Sequence, residues 1–188
     1  CLAPVAPYKN QLSLVKAIPN VIQRHPGARF LFVGQISKEY YWQIQQFIQF
    51  SSLNKYVIFT DFITHFADLP KYYNLADVYV LVSRAEGNLP ATVLQAMSCG
   101  KAIVASSIPQ NIEGAKRGDE IMFVEPYDID AISSAINELL DDPELRKRLG
   151  ENARRTVMEH YTPEAVAKGL IRIYEEVIAN RARQGSGR

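Results

Sequence analysis

Two stretches of this chain hold residues able to do chemistry together: Lys9, in PYKN, and residues 83–101, SRAEGNLPATVLQAMSCGK. Each follows a short apolar run. In the second stretch an acid, a glycine, an asparagine and a proline precede a short apolar segment that stops at Gly100. Pro90 fits the first turn of a helix, where its missing N–H is no loss, and Gly100 fits just past the end. Asn88 suits the capping position. The helix tip then offers free N–H groups and the positive end of a dipole to the loop, which suits phosphate. Locally, the same pattern also describes an ordinary capped helix, and a lone Lys9 also reads as a solvated surface charge. Taken as two loops on one edge, one cationic and one opening a helix, they favour an anionic ligand. Gly34, at the end of RFLFVG, permits either close backbone approach to a ligand or a tight turn.

Other chemistries lack their residues. No G-x-G-x-x-G follows a strand and no G-x-x-x-x-G-K-[ST] occurs, so the usual dinucleotide and P-loop phosphate cradles are absent. His25, His65 and His160 are scattered without ligand spacing, which argues against a metal site. There is no G-x-S-x-G elbow for a nucleophilic serine. Cys1 and Cys99 make no disulfide framework, which fits a reducing compartment, and Cys99 reads as a small buried residue near a helix end. The basic run at 146–148, with Arg154 and Arg155 following among acids, reads as a solvated helix face rather than a nucleic-acid surface. The aromatic residues of EYYWQ read as core.

The elements needed to position Lys9 and the 83–101 stretch alternate along the chain. Apolar strands are expected at Leu2–Val5, Arg29–Gly34, Tyr56–Thr60, Asp77–Val82, Lys101–Ala105 and Ile121–Val124. Helical spacing marks Gln11–His25, Lys38–Phe50, Leu69–Leu75, 90–98, Ile129–Leu140, Pro143–Glu159 and Pro163–Arg181. Continuous apolar strands between amphipathic helices imply an α/β, doubly wound domain: a parallel sheet of about six strands with helices on both faces. In such a sheet ligands bind beyond the carboxyl ends of the strands, where both chemical stretches fall. Hydrophobic residues make up 47% and charged ones 22%, and 21 Lys plus Arg nearly balance 20 Asp plus Glu. No global field therefore calls for nucleic acid or an acidic membrane, and no apolar run is long enough to span one. Cys1 in place of an initiator Met suggests a piece of a longer protein.

The order of PYKNQLSLVKAIPNV, ARFLFVG, YVIFTDF, DLPKYYNLADVYVLVSRAEG, LPATVLQAMSCGKAIVAS, ELRKRLGENAR and a last helix with IYEEVI resembles the C-terminal domain of group-1 glycosyltransferases, from about Leu2 to Ile178. Those are retaining enzymes of the GT-B fold, in which two Rossmann-like domains face a cleft. The resemblance implies a nucleotide-sugar donor domain over 1–181 and an absent acceptor-binding half toward which the last helix crosses, while the Gly-Ser-Gly end reads from its composition as a flexible tail over 182–188. It implies sugar transfer from a nucleotide-diphosphate sugar to a hydroxyl with retention, with no cofactor and no metal. It also implies a cytoplasmic location, with any membrane contact made through the missing half at the inner face.

In the family an Arg and a Lys five residues on clasp the donor diphosphate. The Lys matches Lys9, while the Arg position falls on Pro4, which has neither charge nor donor. A family pair of glutamates, with seven residues between them, holds the sugar hydroxyls and the ribose. Glu86 matches the first. Gln95 stands at the second, with one extra residue absorbed in Gly87-Asn88-Leu89. Gln keeps the shape of Glu without its charge, so weaker donor binding follows. Gly34, Gly87, Asn88, Leu89 and Pro90 are the expected neighbours of the donor, Lys9 and Glu86 the expected catalytic pair, and Glu113 a structural residue in the loop after the fifth strand. The departures at Pro4 and Gln95 motivate an alternative, a non-catalytic nucleotide-sugar-binding or partner-docking domain. A nucleotide-sugar epimerase shares the architecture but not the Lys9 and Glu86–Gln95 set.

Overall fold

The computed structural model describes residues 1–60, 62, 63, 65–115 and 118–185, with side chains through Arg181. Among the described residues five strands form: β1 (Phe30–Val33), β2 (Val57–Thr60), β3 (Val78–Leu81), β4 (Ala102–Ser106) and β5 (Ile121–Val124). β1 pairs in parallel with β2, and β3, β4 and β5 make a second parallel sheet with β4 in the middle. Every residue of β4 is buried, as expected for a strand covered on both faces.

Among the same residues eight α-helices accompany the strands: α1 (Gln11–Arg24), α2 (Lys38–Phe50), α3 (Leu69–Leu75), α4 (Ala91–Ser98), α5 (Pro109–Gly114), α6 (Ile129–Asp141), α7 (Pro143–His160) and α8 (Pro163–Gly185). The two faces follow from the period of two along a strand. Val80, Val104 and Val124 pack with α1, α2 and α6 in one core. Tyr79, Leu81, Ile103 and Ala105 pack with α4 and α7 in the other. The doubly wound α/β class read from the sequence is therefore the observed one.

The expected sixth strand at Leu2–Val5 is reduced to two isolated parallel bridges, Leu2 with Val33 and Val5 with Ile36. Its N–H groups at Ala3 and Val5 donate to Val33 and Gln35 at 2.9 and 2.8 Å. Alternate residues thus serve the β1 side, and the N–H of position 4 would point the other way, toward β3. Pro4 has no such N–H. The hydroxyl of Tyr79 reaches the Leu2 carbonyl instead, at 3.2 Å, and the sheet divides there. An apolar cavity of about 410 Å³, lined by Leu2, Phe30, Phe32, Val78 and Val80 among others, lies along the division.

Several local expectations change. Glu113 lies not in a loop but on α5, whose six residues, opened by Pro109 and closed by Gly114, carry too little periodicity to read. Tyr40 is core, but Trp42 of the same helix is 62% exposed. Arg146 is not a free surface charge, because it donates to the Leu139 and Leu140 carbonyls and closes the end of α6. Cys99 is the half-buried last residue beyond α4, where burial pushes its thiol up. α8 continues to Gly185, so the expected tail begins as helix, and 186–188 lie outside the described residues. Along α8, Val166, Leu170, Ile173, Tyr174 and Val177 form an exposed apolar stripe.

Candidate functional site

The chain after Val5 turns through a short 3-10 segment, Pro7–Lys9, into Asn10, whose φ of 56° is left-handed. Asn is one of the few side-chain-bearing residues that takes this conformation readily. Its amide donates to the carbonyls of Val82 at 3.1 Å and Pro126 at 2.6 Å, and its Oδ1 accepts from Ser13. Asn10 therefore fastens the first loop to the carboxyl ends of both β3 and β5. A second tie is the Arg84 N–H, which donates to the Tyr8 carbonyl at 2.8 Å. Nothing in the spacing singled out Asn10; the readable signal was an Asn between a cation and an apolar-periodic helix.

These ties bring together two residues 77 positions apart. Lys9 Nζ lies 2.5 Å from Glu86 Oε1, with only 9% and 10% of the two side chains exposed. The ammonium also stands 5.2 Å from the centre of the Tyr8 ring. A buried ion pair stabilises less than its Coulomb attraction suggests, since both charges have left water. The pair sits at the carboxyl rim of the strands, where a cation and an anion held in contact can each exchange the other for a ligand group.

The 83–101 stretch forms the expected loop and helix, with one correction. Asn88 is exposed and makes no capping bond; Pro90 is the cap residue, with φ −59° and ψ 134°. Its carbonyl accepts from Val93 at 2.9 Å and Leu94 at 3.1 Å, which leaves the N–H groups of Ala91 and Thr92 outside the helical ladder. Gly87 is exposed, and Leu89 packs its side chain toward Gly114 of α5. Gly100, with φ 64°, ends the helix as expected.

Gly34 is required for a different reason from ligand approach. At φ 148° a Cβ there would sit 2.3 Å from the Ala3 carbonyl oxygen, so the backbone that comes close belongs to the chain itself. Pro4 occupies the position expected for a second cation, and its carbonyl accepts from Gln11 at 2.7 Å. Gln95 points to α3: the hydroxyl of Tyr73 donates to its Oε1 at 2.8 Å. Tyr73 is 2% exposed, and burial pushes its phenol far above the ordinary value. Among the described residues no group of His, Cys, Asp and Glu is arranged to hold a metal ion, and no helix is long and apolar enough to cross a membrane.

Residues 1–156 match the family model for glycosyl transferases group 1. The chain belongs to that family. A GDP-mannose-dependent phosphatidylinositol monomannoside mannosyltransferase of Mycolicibacterium smegmatis is 28% identical over 170 residues, covering 86% of this chain and 43% of the relative. Among solved structures, Anabaena Alr3699/HepE in complex with UDP superposes with a TM-score of 0.84 at 20% identity, over 93% of this chain and 47% of that one. The C-terminal domain of the group 1 protein LpcC from Francisella tularensis gives 0.78 at 20% identity, over 86% and 85%. At that identity the two structures speak for the fold. The chain spans less than half the length of the curated relatives it matches first.

Proposed function

We propose that this chain is the donor-binding domain of a glycosyltransferase that moves a sugar from a nucleotide-diphosphate sugar to a hydroxyl acceptor with retention at the anomeric carbon. The observation that carries the reading is the Lys9–Glu86 contact at the carboxyl rim, on the loop that leads from β3 into α4. A leaving diphosphate gathers negative charge as the glycosidic bond breaks, and a fixed ammonium stabilises that charge where it develops. Lys9 takes this role, Glu86 accepts from hydroxyls of the donor sugar, and the unladdered N–H groups of Ala91 and Thr92 add the helix tip to the phosphate site. Gly87 and Asn88, both exposed, border the bound donor. Gln95 meets the ribose, and no metal takes part. The UDP complex of HepE and the GDP-mannose dependence of the mycobacterial relative support a nucleotide-sugar donor, without choosing the base.

The relatives carry at least as much chain again, and acceptor binding belongs to that half. The apolar stripe of α8 is suited to pack against it, since a contiguous exposed patch of this kind marks an interface. Calorimetry with UDP, GDP and ADP tests the donor reading: one of them binds the chain, and Lys9→Ala weakens it by about tenfold or more. Binding of none overturns it. Sugar transfer is expected of the full-length protein and not of this domain alone.

A further inference from the structure

The bond between Tyr73 and Gln95 fixes more than the packing of α3 on α4. A primary amide has two faces, an oxygen that only accepts and an NH₂ that only donates. At Gln95 the oxygen is already taken, because the Tyr73 hydroxyl donates to Oε1 at 2.8 Å. Turning the amide over would let its NH₂ donate to the phenol oxygen, but the buried Tyr73 hydroxyl, whose ring is tilted 5.6 Å from that of Tyr79, would then lose its one acceptor among the described residues. Tyr79 is itself anchored through its hydroxyl to the Leu2 carbonyl. Gln95 is half-buried, and its Nε2 has no partner among the described residues. The face left for a ligand is therefore a donor.

We propose that Tyr73 is a positioning residue that holds Gln95 with its NH₂ toward the nucleotide, so that this position donates to ribose oxygens rather than accepting from ribose hydroxyls. The inference rests on the placement of the ribose at Gln95 proposed above and adds the direction of the hydrogen bonds. A glutamate there accepts, and requires the ribose to donate. Gln95 held by Tyr73 requires the ribose only to accept. The chain should then tolerate a nucleotide that has lost its hydroxyl protons but kept an electronegative atom of similar size.

The test compares a nucleoside diphosphate with its analogues carrying fluorine in place of the 2′ or 3′ hydroxyl, titrated into the 188-residue chain by calorimetry. Fluorine can receive an N–H weakly and can donate nothing. For the unaltered chain the analogue is expected to bind within about fivefold of the parent, the scale of one neutral hydrogen bond. Gln95→Glu restores an acceptor, and the penalty for fluorine rises to about thirtyfold, the scale of a charge-assisted bond. Tyr73→Phe frees the amide to turn over, and the penalty moves toward the Gln95→Glu value while the parent nucleotide still binds. A purely structural role for Tyr73 would leave the ratio of the two affinities unchanged. Ratios equal in the unaltered chain and in Tyr73→Phe, with binding intact, overturn the role of Tyr73 alone. Failure of UDP, GDP and ADP all to bind overturns the placement of the nucleotide and this inference with it.

Discussion

Two carboxylates, Glu86 and Glu120, lie at opposite ends of the strands, both largely withdrawn from solvent. Glu120, just before β5, is fully buried; Thr156 donates to one oxygen at 2.6 Å and the Gly118 N–H to the other at 2.8 Å. These two partners come from α7 and from a turn, and they hold the carboxylate inside the fold. Glu86, beyond the carboxyl end of β3, is held by the ammonium of Lys9 on a loop. The difference separates architecture from site. A carboxylate buried completely inside the fold is part of the frame, whereas one held against a cation at the rim can pass that cation to an incoming anion.

The contrast breaks most visibly on the side of the frame. Glu120→Ala strands a hydroxyl and an N–H in the interior, and urea unfolding should show a loss of about 3 kcal/mol. Nucleotide affinity of the folded fraction should not move; a change in affinity with stability intact would reverse the two assignments. At the same end of the sheet, a Cβ at Gly150 would stand 2.1 Å from the Gly100 carbonyl oxygen. Gly150→Ala should therefore cost about 1–3 kcal/mol by overpacking, again without touching binding.

At the rim the expected pattern is the opposite. Lys9→Ala leaves Glu86 without its cation, so some stability is lost, about 1–2 kcal/mol. Adding Glu86→Gln should recover most of that stability but none of the nucleotide affinity. Recovery of both by the double variant would show that the pair serves folding alone. A smaller effect sharpens the boundary between the regions. Burial raises the phenols of Tyr73 and Tyr79 well above their ordinary range. Above the ordinary tyrosine value the unfolded chain releases protons that the folded one retains, so stability must fall as pH rises from about 10, by up to about 1.4 kcal/mol per pH unit for each group. Below that pH the contribution is fully present. Thermal melts at alkaline pH should show the decline, and Tyr73→Phe should reduce its slope by one group.

Much of the frame was legible because long apolar strands and periodic helices carry a strong pattern, as β4 and α7 do. The first strand was over-read: its apolar letters suit a ladder, but Pro4 removes the N–H that would face β3, a fact of hydrogen bonding rather than of hydropathy. α5 was missed because six residues between a proline and a glycine offer no period. In the site, local chemistry pointed to Lys9 and to the helix at 90–98, and the family resemblance supplied Glu86 and Gln95. Neither disclosed Asn10 or Tyr73, whose parts depend on partners 72 and 22 positions away. A left-handed asparagine and a buried hydroxyl leave almost no trace in one sequence. The cap assigned to Asn88 failed for a local reason, since the chain bends at 87–89 and the helix opens only after Pro90, whose carbonyl accepts its first bonds.

A crystal structure of the chain with a nucleoside diphosphate bound addresses the exchange at the rim most directly. The expected result is a phosphate oxygen in hydrogen-bonding reach of Lys9 Nζ, with the tip of α4 on the same anion and Glu86 released from the closed contact. A nucleotide seated elsewhere, with Lys9 and Glu86 still joined, would contradict it.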